Sequence, residues 1–129
     1  MPAASDLKVL IVDDQQTIRA LVRAGLKDIG VTDIEDAVDG EAALNVLLSN
    51  RRNLIISDFN MPNLDGLGLL RAVRIAPQLK AIAFIMLTGR ADTALLQRAQ
   101  QFGVNNYLVK PFTVATLREK IEQVFGPLT

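Results

Sequence analysis

The chain has 129 residues, a length that suits one domain with a substantial hydrophobic core. Half of its residues are hydrophobic and only 5% are aromatic, and 14 basic residues balance 14 acidic ones. No net charge therefore draws the chain to nucleic acid or to a membrane surface. It contains no Cys and no His, which excludes disulfides, thiolate or imidazole metal ligands and a Ser-His-Asp triad.

Two further features bear on where the protein acts. The longest apolar run, residues 81–87, is too short to cross a bilayer, and residues 1–6 lack the basic-then-apolar pattern of a signal peptide. We therefore expect a cytoplasmic protein that neither inserts into a membrane nor binds nucleic acid. We also expect it to be a monomer.

The first strand–helix units follow one another closely in the sequence. A buried strand is predicted over Lys8–Val12, and the helix after it runs over residues 18–29 and ends at Gly30. A weaker strand is predicted over residues 34–38. The turn Asp39-Gly40 leads from it into a second helix, which carries apolar residues at helical spacing: Ala43, Leu44, Leu47 and Leu48.

The third and fourth units repeat this order. Strand three is predicted over residues 53–57, and a loop over residues 61–66, which contain Pro and Asp-Gly, separates it from a helix over residues 67–75. Strand four is predicted over residues 81–87, with a helix over residues 91–102.

The fifth unit completes an alternating pattern along the chain. Strand five is predicted over residues 106–109 and the last helix over residues 113–125. Apolar residues lie on one face of the first and last helices: Ile18, Leu21, Val22, Leu26 and Ile29 in the first, and Val114, Leu117, Ile121, Val124 and Phe125 in the last. Such (βα)5 alternation predicts an α/β fold, a doubly wound, five-stranded parallel sheet covered by helices on both faces. The five units use nearly all of residues 1–129, so we expect a single domain without an output domain.

Polar residues follow four of the five predicted strands. Asp13 and Asp14 follow strand one, Asp58 strand three, Thr88 strand four and Lys110 strand five. In an open α/β sheet the functional site lies beyond the carboxyl ends of the strands. These five side chains are therefore predicted to meet at one edge.

Three carboxylates in one place require a cation or protonation. Two of them about 4 Å apart repel by roughly 4 kcal/mol at an effective dielectric constant near 20. Mg²⁺ is suited to such a site because it prefers oxygen ligands, including carboxylates and phosphate. A phosphoryl group would find a charge partner in Lys110 and a hydrogen-bond donor in Thr88, and Asp58 is the best-placed nucleophile.

Each of these residues also has an ordinary structural explanation. Asp13-Asp14 is typical of a helix N-cap with a neighbouring acid, Asp58 and Thr88 are typical of turn or helix caps, and Lys110 beside Pro111 is typical of a solvated turn. Their joint occurrence at equivalent positions in the fold favours a functional site.

The complete motif set resembles the receiver domain of response regulators in two-component signalling, and within it the single-domain chemotaxis regulators. The resemblance covers all five units and rests on these segments: residues 9–14 (VLIVDD), 56–66 (ISDFNMPNLDG), 87–88 (LT) and 109–112 (VKPF). It implies the flavodoxin-like strand order 2-1-3-4-5.

The resemblance also implies a role for each site residue. Asp58 matches the phosphoacceptor, and Asp13 and Asp14 match the acids that hold Mg²⁺ together with Asp58 and the backbone carbonyl of Asn60. Lys110 matches the phosphate-binding lysine, and Thr88 the hydroxyl that turns toward the phosphoryl group.

The implied signal passes from Thr88 to an aromatic switch residue, Tyr107. The residues alone would favour an exposed aromatic on a short edge strand at that position. The implied output surface is formed by the fourth helix, the fifth strand and the fifth helix. Because the chain has no His, the phosphohistidine donor would be another protein, a histidine kinase, with small acyl phosphates as a substitute.

Two features modify this picture. Arg90 stands where the chemotaxis regulators have an acid, so we hypothesise that it sets the self-dephosphorylation rate. The charge is also uneven: residues 1–66 carry 6 basic and 11 acidic side chains, and residues 67–129 carry 8 and 3. We therefore hypothesise an acidic segment on the target, against the alternative of merely solvated arginines.

The sequence leaves several functions open. The favoured one is a switch that controls a target such as a flagellar motor switch component in chemotaxis. Alternatives within the family are a phosphorelay intermediate, a phosphate sink, or an adaptor, possibly one that responds to a second messenger.

Other classes fit less well. A phosphohydrolase is expected to carry Asp-x-Asp after strand one, and a nucleotide or flavin module a Gly-rich loop there. A scaffold that binds without phosphorylation would not require the complete acidic set. We therefore expect a response regulator that catalyses only its own phosphorylation and dephosphorylation, rather than an enzyme.

Overall fold

The computed structural model describes residues 2–89 and 93–129. In these residues five strands alternate with five helices after a short 3-10 turn at Ala4–Asp6. The strands are β1 (Lys8–Val12), β2 (Asp33–Ala37), β3 (Leu54–Asp58), β4 (Ala83–Thr88) and β5 (Asn106–Val109). The helices are α1 (Gln16–Ile29), α2 (Gly40–Ser49), α3 (Gly66–Ile75), α4 (Thr93–Gln101) and α5 (Val114–Phe125). In the same stretches, no helix is both long and apolar enough to cross a membrane.

The strands form one parallel sheet in the order β2-β1-β3-β4-β5. This confirms the predicted fold class. The chain moves from β1 outward to β2 and then returns to β3 on the other side of β1, so the strand order reverses next to β1. The carboxyl ends of β1 and β3 are therefore neighbours, as a site at this edge requires.

Each central strand contributes to two hydrophobic layers, because successive side chains point to opposite faces of a sheet. On one face, Val9, Ile11 and Ile56 pack with residues of α1 and α5. On the other, Leu10 and Val12 pack with residues of α2 and α3. The sheet is thus covered on both faces, which explains why β1, β3 and β4 are nearly continuous apolar runs.

The bounds of several strands differ from prediction by one or two residues. β4 begins at Ala83 because both backbone groups of Ile82 bond outside the sheet: its N–H donates to Leu79 O at 3.0 Å, and its carbonyl accepts from Arg74 Nη1 at 2.7 Å. β3 ends at Asp58, which pairs with Leu87. β2 begins and ends one residue earlier than predicted.

The fourth and fifth helices also have bounds that differ slightly from the predicted ones. The predicted start of the fourth helix, Ala91, lies outside the described residues, and α4 ends at Gln101. α5 begins at Val114, because Thr113 is its N-cap and accepts a hydrogen bond from the Thr116 N–H.

Three residues predicted among the apolar positions of the helices do not enter the core, and one of them is Leu48 of α2, which is 72% exposed. Leu21 is 58% exposed and Val114 is 39% exposed. Together with Ile18 and Phe112 they line a groove of about 460 Å³ between α1 and the start of α5, next to Lys110. The helical period locates the apolar face but not its edges, because the width of the covered stripe depends on the neighbouring helix.

Candidate functional site

Three carboxylates meet at the carboxyl edge of the sheet. Asp13 and Asp14 follow β1, and Asp58 is the last residue of β3. Val12 pairs with Ser57 across these two parallel strands, so the residues that come next lie side by side. One carboxylate oxygen from each acid lies within 4.8 Å of the other two. The structure thus brings together the three acids that the sequence analysis selected.

Lys110 and Thr88 complete the edge from the other side. Lys110 Nζ donates to Asp58 Oδ1 at 3.2 Å and lies 3.9 Å from Asp13 Oδ2. Thr88 ends β4, the strand between Asp58 and Lys110, and is buried. A group bound to Asp58 would therefore lie beside the Lys110 ammonium group, at the sheet edge where β4 ends in the hydroxyl residue Thr88.

Asp13 is the most constrained of the acids. It is fully buried, its N–H donates to Ala37 O at 3.1 Å, and its Oδ1 accepts from the Gln15 N–H at 2.8 Å. Burial raises the pKa of Asp13, the Gln15 amide opposes that effect, and the nearby Asp58 carboxylate raises the pKa further. Asp13 Oδ2 is buried and accepts no hydrogen bond from any described residue.

A hard divalent cation suits these residues. A buried carboxylate oxygen without a hydrogen bond is costly, and a cation would both pair with it and favour its ionised form. The three carboxylate oxygens that lie within 4.8 Å of one another could all contribute to the binding of one such ion. Asn60 lies exposed in the loop two residues after Asp58, where its carbonyl could add a ligand.

The helix-cap explanation fails for Asp13 and Asp14. The N-cap residue of α1 is Gln15, which makes no side-chain cap hydrogen bond. By contrast, Asp39 accepts from the Ala42 N–H and caps α2, and Asp65 accepts from the Gly68 N–H and caps α3, each at 2.8 Å. The acids at helix starts are thus occupied with capping, whereas those at the ends of β1 and β3 turn toward the shared edge.

Tyr107 lies half-buried on the edge strand β5. Its ring is covered by Lys120 of α5, whose Nζ lies 4.4 Å from the ring centroid, within the range of a cation–π interaction. This position links β5 and α5 on the surface expected to carry the output. Arg90, the hypothesised determinant of phosphate lifetime, lies outside the described residues.

Two side-chain contacts that hold the site loops were not predicted from the sequence. Asn63, at φ 67°, donates from Nδ2 to Asp39 Oδ2 at 2.7 Å, and so ties the loop after β3 to the start of α2. Asn tolerates a positive φ better than most residues, which is a signal the sequence did contain. Arg19 Nη1 donates to the carbonyl of Asp13 at 2.7 Å. That contact depends on how α1 lies against the sheet, and no pattern in the sequence indicates it.

A parallel (βα)5 sheet with three acids, a hydroxyl and a lysine at its carboxyl edge is the arrangement of a signalling receiver. The chain matches the model of the response regulator receiver domain over residues 9–122, and it belongs to this family. Members act in two-component signalling, and those like CheY take phosphate from histidine kinases and bind downstream targets. Receiver domains generally use Mg²⁺.

Particular relatives are similar over nearly the whole chain. A probable chemotaxis protein CheY from Rhizobium etli is 49% identical over 128 residues, which cover 99% of each chain. The structure of chemotaxis protein CheY4 from Vibrio cholerae has a TM-score of 0.86 at 38% identity, over 92% of this chain and 98% of that one. A third similar structure is the receiver domain of the sensor histidine kinase PA1611 from Pseudomonas aeruginosa, solved with a magnesium ion coordinated in the active site cleft. Its TM-score is 0.83 at 28% identity, over 93% of this chain and 98% of that one.

Proposed function

We propose that Asp58 accepts a phosphoryl group from a histidine kinase in a Mg²⁺-dependent reaction. The observation that carries this proposal is the position of the Asp58 carboxylate: it lies 3.2 Å from Lys110 Nζ and in one cluster with Asp13 and Asp14. A lone carboxylate could be structural. A carboxylate that ends a central strand beside an ammonium group and two further acids supports a role in phosphoryl transfer.

Each side chain has a separate part in the transfer. An Asp58 oxygen forms a bond to phosphorus while the bond from phosphorus to the leaving nitrogen of the donor breaks. Lys110 is positioned to offset the negative charge on the transferred group. Asp13, Asp14 and the Asn60 carbonyl would hold Mg²⁺ together with Asp58, and the bound ion would neutralise the acids and the phosphoryl oxygens.

The proposed output proceeds through Thr88 and Tyr107 to the surface formed by α4, β5 and α5. A phosphoryl group on Asp58 would offer the Thr88 hydroxyl a strong acceptor, and Tyr107 lies on the adjacent strand β5. The target we propose is a flagellar motor switch component, since the similar proteins from R. etli and V. cholerae are named as chemotaxis proteins. Relay or phosphate-sink activity is the alternative.

Acetyl phosphate tests the chemistry directly. With Mg²⁺, the wild-type protein should gain the mass of one phosphoryl group, and Asp58→Asn should not. Asp65→Asn is the matched control, because Asp65 caps α3 in the loop after β3 and an Asn side chain can keep that bond to the Gly68 N–H. Labelling of Asp58→Asn, or labelling of the wild type in excess EDTA, would refute the proposal.

Binding to purified flagellar switch proteins tests the output. Phosphorylated wild type should bind more tightly than the unphosphorylated protein, and Asp58→Asn should show no such difference. Efficient phosphotransfer back to a histidine-containing protein, together with equal switch-protein binding in both states, would instead identify a relay or sink.

A further inference from the structure

Arg19 links the metal-site acids to the neighbouring strand. It lies in the first turns of α1, where its Nη1 donates to the main-chain carbonyl of Asp13 at 2.7 Å. Its Nε lies 3.5 Å from Asp36 Oδ2 on β2. The Arg19 side chain is only 16% exposed, so water competes weakly for these contacts.

The carbonyl of Asp13 has a particular position in the chain. It belongs to the peptide group that joins Asp13 to Asp14, and that group is planar. A hydrogen bond to this oxygen therefore fixes the plane from which both side chains extend. The other hydrogen bonds of Asp13 are at its N–H, which donates to Ala37 O, and at Oδ1, which accepts from the Gln15 N–H, while Lys110 Nζ lies 3.9 Å from Oδ2.

These constraints leave Oδ2 of Asp13 as the buried oxygen that faces the site. Its direction depends on the backbone of Asp13, because Oδ1 is already bonded. If the peptide group between Asp13 and Asp14 could rotate, the oxygens of the two acids would no longer converge on one point. Rotation of this peptide group would break the 2.7 Å bond from Arg19 Nη1 to the carbonyl.

We propose that Arg19 is a positioning residue for the divalent-metal site, acting through the peptide group shared by Asp13 and Asp14. The inference rests on the proposed Mg²⁺-dependent function. Arg19 contacts neither the metal nor the phosphoryl group. It sets the directions of the carboxylates that do.

A positioning role and simple electrostatics predict opposite changes in Mg²⁺ affinity when the Arg19 side chain is replaced by an uncharged one. Removing a positive charge near an acidic site should strengthen the binding of a cation, because a repulsion is lost. Loss of the positioning bond should weaken it, and changes to residues that orient metal ligands typically cost 10–100-fold in affinity.

Arg23 provides a matched control on the same helix. Its Nη2 lies 3.5 Å from the same oxygen of Asp36, and its Nη1 donates to Ile34 O at 3.4 Å. Its polar contacts among the described residues are thus to β2 and not to Asp13. Arg19→Met and Arg23→Met remove the same charge and keep a similar aliphatic chain.

Mg²⁺ titration of the whole protein, followed by calorimetry and by the amide NMR signals of residues 13 and 14, tests the proposal. Arg19→Met should bind Mg²⁺ at least about tenfold more weakly than wild type, and Arg23→Met within about twofold of it. Thermal unfolding in EDTA reports whether each variant is folded. If Arg19→Met does not fold, Arg19→Lys is tested in its place. A single ammonium group cannot contact both Asp13 and Asp36, so the Mg²⁺ affinity of Arg19→Lys should be about threefold or more below that of the wild type.

The outcomes separate this inference from the function on which it rests. Unchanged or tighter Mg²⁺ binding by folded Arg19→Met, equal losses in the two Met variants, or wild-type affinity in Arg19→Lys would overturn the positioning role alone. A wild-type protein without saturable Mg²⁺ binding would overturn the proposed function and the inference together.

Discussion

Gly66 lies directly against the backbone of the proposed phosphoacceptor. It begins α3, is buried, and donates its N–H to Phe59 O at 2.8 Å. A Cβ atom at this position would lie 3.0 Å from Phe59 Cα and 3.0 Å from Met86 Sδ, and closer still to the main-chain oxygen of Asp58. Gly66→Ala therefore cannot be accommodated by rotating a side chain, and β3 or α3 must shift.

The size of the effect follows from this close approach. Overpacking a core position typically costs about 1–3 kcal/mol, and occasionally more. Because the nearest atom is the backbone oxygen of Asp58, which no side-chain rotation can move, we expect the cost of Gly66→Ala to reach about 3 kcal/mol. For a domain of this size that corresponds to a fall in Tm of about 10 °C. The shift acts on Asp58, so labelling by acetyl phosphate should also slow.

Gly89 offers the matched substitution. It follows Thr88 at the same edge of the sheet, and a Cβ there would meet nothing within 4 Å in the described residues. Gly89→Ala should therefore leave stability within about 0.5 kcal/mol of wild type. Denaturant unfolding and acetyl phosphate labelling of both variants provide the comparison. If Gly66→Ala were as stable as Gly89→Ala, the argument from close backbone contact would be wrong.

Two further predictions concern charge. Lys110→Met should slow the labelling of Asp58 by acetyl phosphate about 10–100-fold, because it removes an ammonium group that lies 3.2 Å from Asp58 Oδ1. A parallel titration should show no weaker binding of Mg²⁺. Labelling at the wild-type rate would contradict this role of Lys110. The Ala42 amide, and then the Asn63 side chain, hold the pKa of Asp39 below its ordinary value of 3.8, so ionised Asp39 stabilises the fold above that pH and the gain is lost as the pH falls through the lower, folded value. As the pH falls below about 4, Asp39→Asn should therefore lose less stability than the wild type, as measured by urea unfolding. If the two proteins lost stability equally with falling pH, the prediction would be wrong.

The expected site was recoverable from the sequence because of one regularity of parallel sheets. All strands end at the same edge, so residues that follow the apolar runs are brought together whatever their separation in the chain. Asp13, Asp58 and Lys110 were predicted in this way, and the contacts of 3.2 and 3.9 Å made by Lys110 are consistent with it. The limits of the strands could not be predicted in this way, because the first residue of β4 depends on a contact from a distant side chain, the bond from Arg74 Nη1 to the Ile82 carbonyl.

Other features could not be read from local pattern. Leu21 and Val114 lie on apolar helix faces but stay partly exposed, because α1 and α5 meet at an angle and separation that neither helix determines alone. Asp39 and Asp14 both precede helices, yet Asp39 caps α2 and Asp14 does not cap α1. Local propensity is the same for both, and only the surrounding backbone distinguishes them.

The amino-acid sequence alone determined the order of the elements, the class of sheet and the edge where the acids gather, since these depend on periodicity and on chain direction. The tertiary structure decided how the acids are held: the bond from Arg19 to the Asp13 carbonyl, the ion pair between Lys110 Nζ and Asp13 Oδ2, and the bond from the Gly66 N–H to Phe59 O. Those features join residues from different parts of the chain at distances within 4 Å, and such distances are set by packing between elements rather than by the pattern within any one of them.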